Sequence, residues 1–290
     1  MDNYTKAARP MTHAPHSLLV EPTVRAALLE DMGRAGDITT QFCLVADGRS
    51  TAKLIARRYG KISGLICAET AFRLVDPSLD FELKTSDGYY ADQGDPLAII
   101  HGSSASILTA ERVALNFVGH LSGIANATFD LVNAVKGTNT RIVCTRKTTP
   151  GLRILEKYAV RCGEGFNHRF GLDDAVLIKD NHIVAAKGIT NAVKRARAGL
   201  GHMVKIEVEV DNLDQLIEAL ELKVDTILLD NMNLGMLREA VKLTGSKAIL
   251  EASGSVTLAT VRAIAETGVD YISAGSITHS APNFDVGLDF

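Results

Sequence analysis

Residues 144–153, CTRKTTPGLR, carry three cations and three hydroxyls in ten positions, at the end of the apolar run RIVC. The whole chain has a formal net charge of −3. Concentrated positive charge in a mildly acidic chain implies a local anionic ligand, because short-range geometry governs a pocket whatever the net charge. Further cations follow: Arg161, His168, Arg169 and Lys179. Arginine can grip a carboxylate through two parallel hydrogen bonds. Several cations together point to more than one carboxylate on the ligand. Two acids stand further along, Glu209 and Asp230. Their oxygens suit Mg²⁺, a hard cation, and sugar hydroxyls. Two small-residue runs close the series: Ser253, Gly254 and Ser255, then Gly275 and Ser276. Such runs expose backbone N–H groups and suit a phosphate.

These residues recur at a regular interval. Glu209, Asp230, Ser253 and Ser276 are separated by 21, 23 and 23 positions (230−209, 253−230, 276−253). Each follows or ends a short β-branched or Leu-rich run: RIVCTRK, AVLIKDN, KIEVEVDN, DTILLDN, AILEASGS and DYISAGS. Helical segments such as LDQLIEALEL and LGMLREAVKLT lie between them. This is the rhythm of βα units with a parallel sheet covered by helices. Six such units predict a closed or nearly closed barrel. In such barrels the C-terminal strand ends carry the chemistry.

Upstream the character changes near residue 105. The runs TAKLIARRYGKISGLICAETAFRL and FELKTSDGYYADQGDPLAIIHGS read as short β-like stretches punctuated by Gly and Asp. Residues 105–136 read as a helix, with Leu108, Leu115, Val118, Leu121 and Ile124 at helical spacing. Gly119 and Gly123 inside it signal close packing or a break.

Composition excludes several classes. The chain has 290 residues, no Trp and 5% aromatics, so stacking platforms for nucleic-acid bases are scarce. Four scattered cysteines (Cys43, Cys67, Cys144, Cys162) without C-x-x-C spacing read as reduced thiols. No run approaches the roughly 20 apolar residues of a membrane span. The polar start reads as a short flexible segment without a signal peptide. The expectation is a cytoplasmic protein that binds neither nucleic acid nor membrane. His13, His16, His101, His120 and His202 read as structural or surface residues.

The motifs CTRKTTPGLR, EKYAVRCGEGFNHRFGLDDAVLIKDNHI, EVEVDN, ILLDNM, LEASGSVT and YISAGSITHS together resemble the quinolinate phosphoribosyltransferase family. ALLEDMGRAGDITT and ERVALNFVGHLSGIA extend the resemblance upstream. It implies an α/β fold: an N-terminal α/β sandwich plus an incomplete TIM-like β/α barrel. The implied layout is a flexible start over 1–17, a sandwich over 18–117 and a barrel over 118–277, with the tail 278–290 returning to the sandwich. The implied reaction joins quinolinate and phosphoribosyl pyrophosphate (PRPP), with Mg²⁺, to give nicotinate mononucleotide, pyrophosphate and CO₂. By the same resemblance Arg146, His168, Arg169 and Lys179 line the quinolinate pocket, with Lys147 close to the phosphoribosyl group. Arg112 comes from the partner subunit of a homodimer, and whether dimers assemble further stays open. Glu209 and Asp230 address ribose and Mg²⁺. Ser253, Gly254, Ser255, Gly275 and Ser276 address the 5′-phosphate. Two positions depart from the family pattern, Glu164 and Ser255, where glycines are frequent. Glu164 could pair with Arg161 or weaken anion binding.

Three other readings compete on the residues alone. Lys147 or Lys179 could form a Schiff base, as in barrel aldolases. The chain could bind a phosphoribosyl ligand without turnover. The acceptor could be nicotinate, without decarboxylation.

Overall fold

The structure is a computed structural model and describes residues 13–45 and 47–290. Most of the expected flexible start, residues 1–12, lies outside the described residues. In chain order the first elements are α1 (Ser17–Met32), α2 (Ile38–Cys43), β1 (Arg49–Ala56), β2 (Gly60–Lys61), α3 (Leu65–Val75), β3 (Asp80–Leu83), β4 (Tyr90–Ala91), β5 (Pro96–Ser103) and α4 (Ser104–Ala134). Then come β6 (Arg141–Val143), α5 (Arg153–Cys162), β7 (Val176–Ile178), α6 (Asp180–Ala186), α7 (Ile189–Gly199), β8 (Ile206–Val210) and α8 (Leu213–Glu221). The chain ends with β9 (Thr226–Asp230), α9 (Leu234–Thr244), β10 (Ile249–Ser253), α10 (Leu258–Ala265), β11 (Tyr271–Ser273), α11 (Ser276–His279) and β12 (Val286–Asp289).

The chain forms two compact units. One takes the described residues up to Phe129 together with Thr148–Glu164 and Ile277–Phe290; the other takes Asp130–Lys147 and Gly165–Ser276. The first unit holds a four-stranded sheet in the order β12-β1-β5-β3. Its strand pairs are antiparallel. Ala52, Leu54 and Ala56 of β1 are buried while their neighbours face outward, the alternation of a sheet with one face on the core. The β-like reading of LICAETAFRL is corrected: these residues form α3. Leu65, Ala68, Ala71 and Phe72 recur at helical spacing and all four are buried. The helical period outweighs the residue types.

Helix α4 runs unbroken through Gly119 and Gly123, so the glycines mark close packing. A Cβ at Gly123 would sit 2.3 Å from the carbonyl oxygen of Pro282. The Gly119 carbonyl accepts the Phe284 N–H at 2.9 Å. Gly123→Ala would gain roughly 1 kcal/mol of helix propensity. The clash is with backbone, however, and overpacking costs about 1–3 kcal/mol. The expected result is a net loss of stability, read as a lower denaturation midpoint, whereas Ala at an open helical glycine would raise it.

The second unit is built on a six-stranded sheet, order β6-β11-β10-β9-β8-β7, in which every pair is parallel. The first strand β6 pairs with the last strand β11, so the sheet wraps on itself. Among the described residues β6 and β7 stand at its two ends and do not pair. This is an incomplete β/α barrel. Its strands are short, three to five residues, and mostly buried.

Candidate functional site

Strand register decides which residues converge. Glu209 of β8 pairs with Leu228 of β9, and Leu228 with Glu251 of β10. Asp230 pairs with Ser253. Paired residues of a parallel sheet share a face, and residues two apart in a strand share it too. Glu207, Glu209, Asp230, Glu251 and Ser253 therefore lie on one face of the sheet. Glu209, Asp230 and Ser253 stand at the C-terminal strand ends. Glu207 and Glu251 lie one step deeper.

The other sequence-derived positions join the same end of the same unit. Arg146 and Lys147 lie three and four residues beyond the end of β6, and Lys179 directly follows β7. His168 and Arg169 lie on the segment entering β7, which Phe166 ties to Val143 by a parallel bridge. Gly254 and Ser255 follow β10, Gly275 follows β11, and Ser276 opens α11. Arg112 is elsewhere, exposed on α4 of the first unit.

The cations differ in how they are occupied. Lys179 Nζ donates to Glu209 Oε2 at 2.5 Å. Lys179 is thus engaged by the Glu209 carboxylate. Arg169 Nη1 donates to the Ala175 carbonyl at 2.9 Å. Its Nε is buried with no acceptor, and so is the Nε of Arg146. Burial and the nearby Arg146 push the Arg169 guanidinium down from its usual range. Two half-buried, mutually repelling guanidinium groups, each with a buried idle Nε, form a seat for an anion.

His168 is held on both ring nitrogens. Nδ1 accepts the Arg169 N–H at 2.7 Å. Nε2 lies 2.9 Å from Glu207 Oε2 and 3.6 Å from Glu251 Oε1. Glu207 and Glu251 are both buried. Sequence reading missed them, although their signal was present: each is an acid inside an apolar strand, two residues before a tip residue.

The small-residue loops have a steric logic. Gly254 has φ +105°, and a Cβ there would lie 2.1 Å from Asn231 Oδ1. Only glycine fits. Asn231 is itself left-handed, with φ +53°. Its N–H bonds the Ser253 carbonyl at 2.9 Å and its Nδ2 bonds Asp230 Oδ2 at 2.8 Å. Asn231 thus links the Asp230 tip to the Ser253–Gly254 loop.

Both departures from the family pattern have left-handed backbone: Glu164 at φ +67° and Ser255 at φ +49°. This explains why glycine suits those positions. Glu164 Oε1 accepts a hydrogen bond from Lys61 Nζ at 2.9 Å. The pair is mostly buried, with side chains 9% and 18% exposed. Lys61 also bonds the Gly88 carbonyl at 2.9 Å and lies over the Phe129 ring at 4.8 Å. Glu164 is a structural ion-pair partner.

Comparison with known proteins agrees with this architecture. The model of the quinolinate phosphoribosyl transferase N-terminal domain matches residues 37–122, and that of the C-terminal domain matches 124–289. A probable nicotinate-nucleotide pyrophosphorylase [carboxylating] from Synechocystis is 46% identical over 282 residues, 96% of this chain and 95% of that protein. Its counterpart in Bacillus subtilis is 43% identical over 261 residues, 90% of each. The structure of the nicotinate-nucleotide pyrophosphorylase from Francisella tularensis superposes with a TM-score of 0.92 at 41% identity, over 96% of this chain and 98% of that one. With both domain models matched in order and these identities over nearly its full length, the chain belongs to the quinolinate phosphoribosyltransferase family.

Proposed function

We infer that the protein transfers the phosphoribosyl group of PRPP to quinolinate and decarboxylates the product, giving nicotinate mononucleotide, pyrophosphate and CO₂. This is the carboxyl-losing entry to NAD biosynthesis. One structural observation carries the reading: the half-buried guanidinium groups of Arg146 and Arg169, which repel each other and each keep a buried, idle Nε donor. A ligand with two neighbouring carboxylates supplies acceptors to both. Nicotinate, with one carboxylate, would have to share its two oxygens between both guanidinium groups and so satisfy each less fully.

In the first step the quinolinate ring nitrogen attacks the sugar C1 and pyrophosphate leaves. Arg146 and Arg169 fix the ring, converting binding into alignment. Glu209 and Asp230 face the ribose and stabilise the positive charge that develops there. Their oxygen donors, on adjacent strands, also fit a Mg²⁺ ion, which neutralises charge on the departing pyrophosphate when bound. Ser253, Gly254, Ser255, Gly275 and Ser276 hold the 5′-phosphate, and Lys147 reaches the phosphoribosyl group. In the second step the bond to the adjacent carboxylate breaks. CO₂ leaves, the electron pair stays on the ring carbon beside the cationic nitrogen, and a proton takes its place. Protein nucleophiles have no part in this.

The reading includes a cytoplasmic homodimer whose partner supplies Arg112. No helix among the described residues is long and apolar enough to cross a membrane. On α1, α2 and the following turn Leu18, Leu19, Ile38, Phe42 and Val45 are exposed, Phe42 and Val45 each by 85%. Such a set suits cover by a second copy. Mixing Arg112→Ala with Arg169→Ala protein, each impaired at sub-saturating quinolinate, and letting subunits exchange should restore activity under that condition. About a quarter of sites would be intact if half the dimers are mixed and one site in each is whole. No restored activity after verified exchange would remove Arg112 from the partner's site.

The direct test incubates purified protein with quinolinate, PRPP and Mg²⁺ and follows nicotinate mononucleotide and CO₂ together. Equal amounts of both are expected, and neither without Mg²⁺. Mononucleotide formed from nicotinate without CO₂ would overturn the dicarboxylate reading.

A further inference from the structure

The interior of a β/α barrel is ordinarily filled with branched apolar side chains. Here two carboxylates, Glu207 and Glu251, occupy it one step below the strand tips. Burying ionised groups costs several kcal/mol each unless they are compensated. Compensation is incomplete. Glu207 Oε2 has the imidazole at 2.9 Å, while Glu251 reaches the same nitrogen only at 3.6 Å. Glu207 Oε1 and Glu251 Oε1 have no hydrogen-bond partner.

The imidazole cannot serve both acids. Its Nδ1 accepts the Arg169 N–H, so its one ring proton is on Nε2, directed toward Glu207. Carboxylates this close in a buried site do not both ionise. The three groups have the composition of a metal centre. However, Nε2 presents a proton, not a lone pair, and Arg169 and Arg146 already supply positive charge alongside.

We propose that Glu251 is a positioning residue that holds a proton beneath the cationic seat whenever a dianion occupies that seat. With its proton the layer under Arg146 and Arg169 carries one negative charge, and without it two. The proposal rests on the reading that a dianion occupies that seat. Loss of the proton weakens dianion binding, and dianion binding draws the proton in.

The surroundings support this. Burial first, and then the Glu207 carboxylate, push the Glu251 carboxyl up to about 7, against the pull of His168. From the strands flanking β10, Leu228 of β9 and Tyr271 of β11 lie in register with Glu251. The Ser273 hydroxyl of β11 also acts on it. Glu207, His168 and, in register on β11, the Tyr271 phenol are titratable groups set against it among the described residues. The sign follows directly. A raised carboxyl is protonated below neutral pH and loses its proton above, so affinity for the dianion falls as pH rises.

The test is calorimetric titration of the full-length protein with quinolinate, without PRPP, at pH 6–9 in buffers of different ionisation enthalpy. Wild-type protein should take up between about half and three-quarters of a proton per site at pH 7.5, with Kd rising toward tenfold per pH unit above pH 8. Glu251→Gln, nearly equal in shape, should bind with a flat Kd and no uptake. Binding by wild-type protein without proton uptake overturns the proposal, and that result needs no variant to fold. Equal uptake in Glu251→Gln also overturns it. Stoichiometric Mn²⁺ binding that Glu251→Gln abolishes would make the cluster a metal site instead. Failure of folded wild-type protein to bind quinolinate at any pH would sink the functional reading itself, a different result from pH-independent binding.

Discussion

Arg169→Ala lowers kcat/KM for quinolinate by about 30- to 3,000-fold, mostly through KM. The magnitude comes from truncating one partner of a buried, hydrogen-bonded charge pair, about 2–5 kcal/mol, at 1.4 kcal/mol per tenfold. In the free protein Arg169 keeps one bond, to the Ala175 carbonyl, and leaves Nε idle. Its deletion therefore costs the fold little and the ligand much. Removing it relieves repulsion with Arg146 but also takes away attraction to Glu207 and Asp174, so thermal stability should change little. Steady-state kinetics with quinolinate varied at saturating PRPP, beside a melting curve, checks both parts. Near-normal KM for quinolinate would remove Arg169 from the seat. A large fall in stability would mean the arginine is structural. Arg169→Lys should recover little, because a point charge lacks the planar fork.

The second large effect concerns stability. Glu164→Gly restores the residue common in the family and relieves left-handed backbone at φ +67°, worth about 1 kcal/mol. It should nevertheless destabilise the protein. Lys61, with a side chain only 9% exposed, loses its carboxylate partner, and breaking a buried pair costs about 3–5 kcal/mol. The Gly88 carbonyl and the Phe129 ring remain as partial compensation. The expected net loss is about 2–3 kcal/mol, a fall in Tm of roughly 5–10 °C. Adding Lys61→Met should recover most of it, since the uncompensated charge is then gone. Ser255→Gly is the contrast. It relieves similar strain at an exposed position with no ion pair and should leave stability unchanged or raise it by up to about 1 kcal/mol. If Glu164→Gly were as stable as the wild-type chain, the Lys61 pair would contribute nothing.

The barrel strands were legible in the sequence because a parallel strand covered by helices must be apolar along its length. Its polar end then stands out, as at Asp230 and Ser253. The helix over 104–134 was legible from its apolar spacing. Helix α3 was not, because LICAETAFRL is short and mixes β-like types with helical spacing. Burial of Leu65, Ala68, Ala71 and Phe72 against one core decides it.

The sequence by itself determined the unit repeat, the sorting of cations, acids and small loops along it, and the family. These are properties of residue type and interval, which survive without coordinates. Tertiary structure decided the pairings. Lys179 meets Glu209, His168 turns to Glu207, Glu164 meets Lys61, and two guanidinium groups keep idle donors. It also decided that Glu207 and Glu251 lie beneath the tips. An acid two residues before a strand end reads alike whether it faces solvent or the barrel interior. Only the register of neighbouring strands and the closing of the sheet fix which side that is.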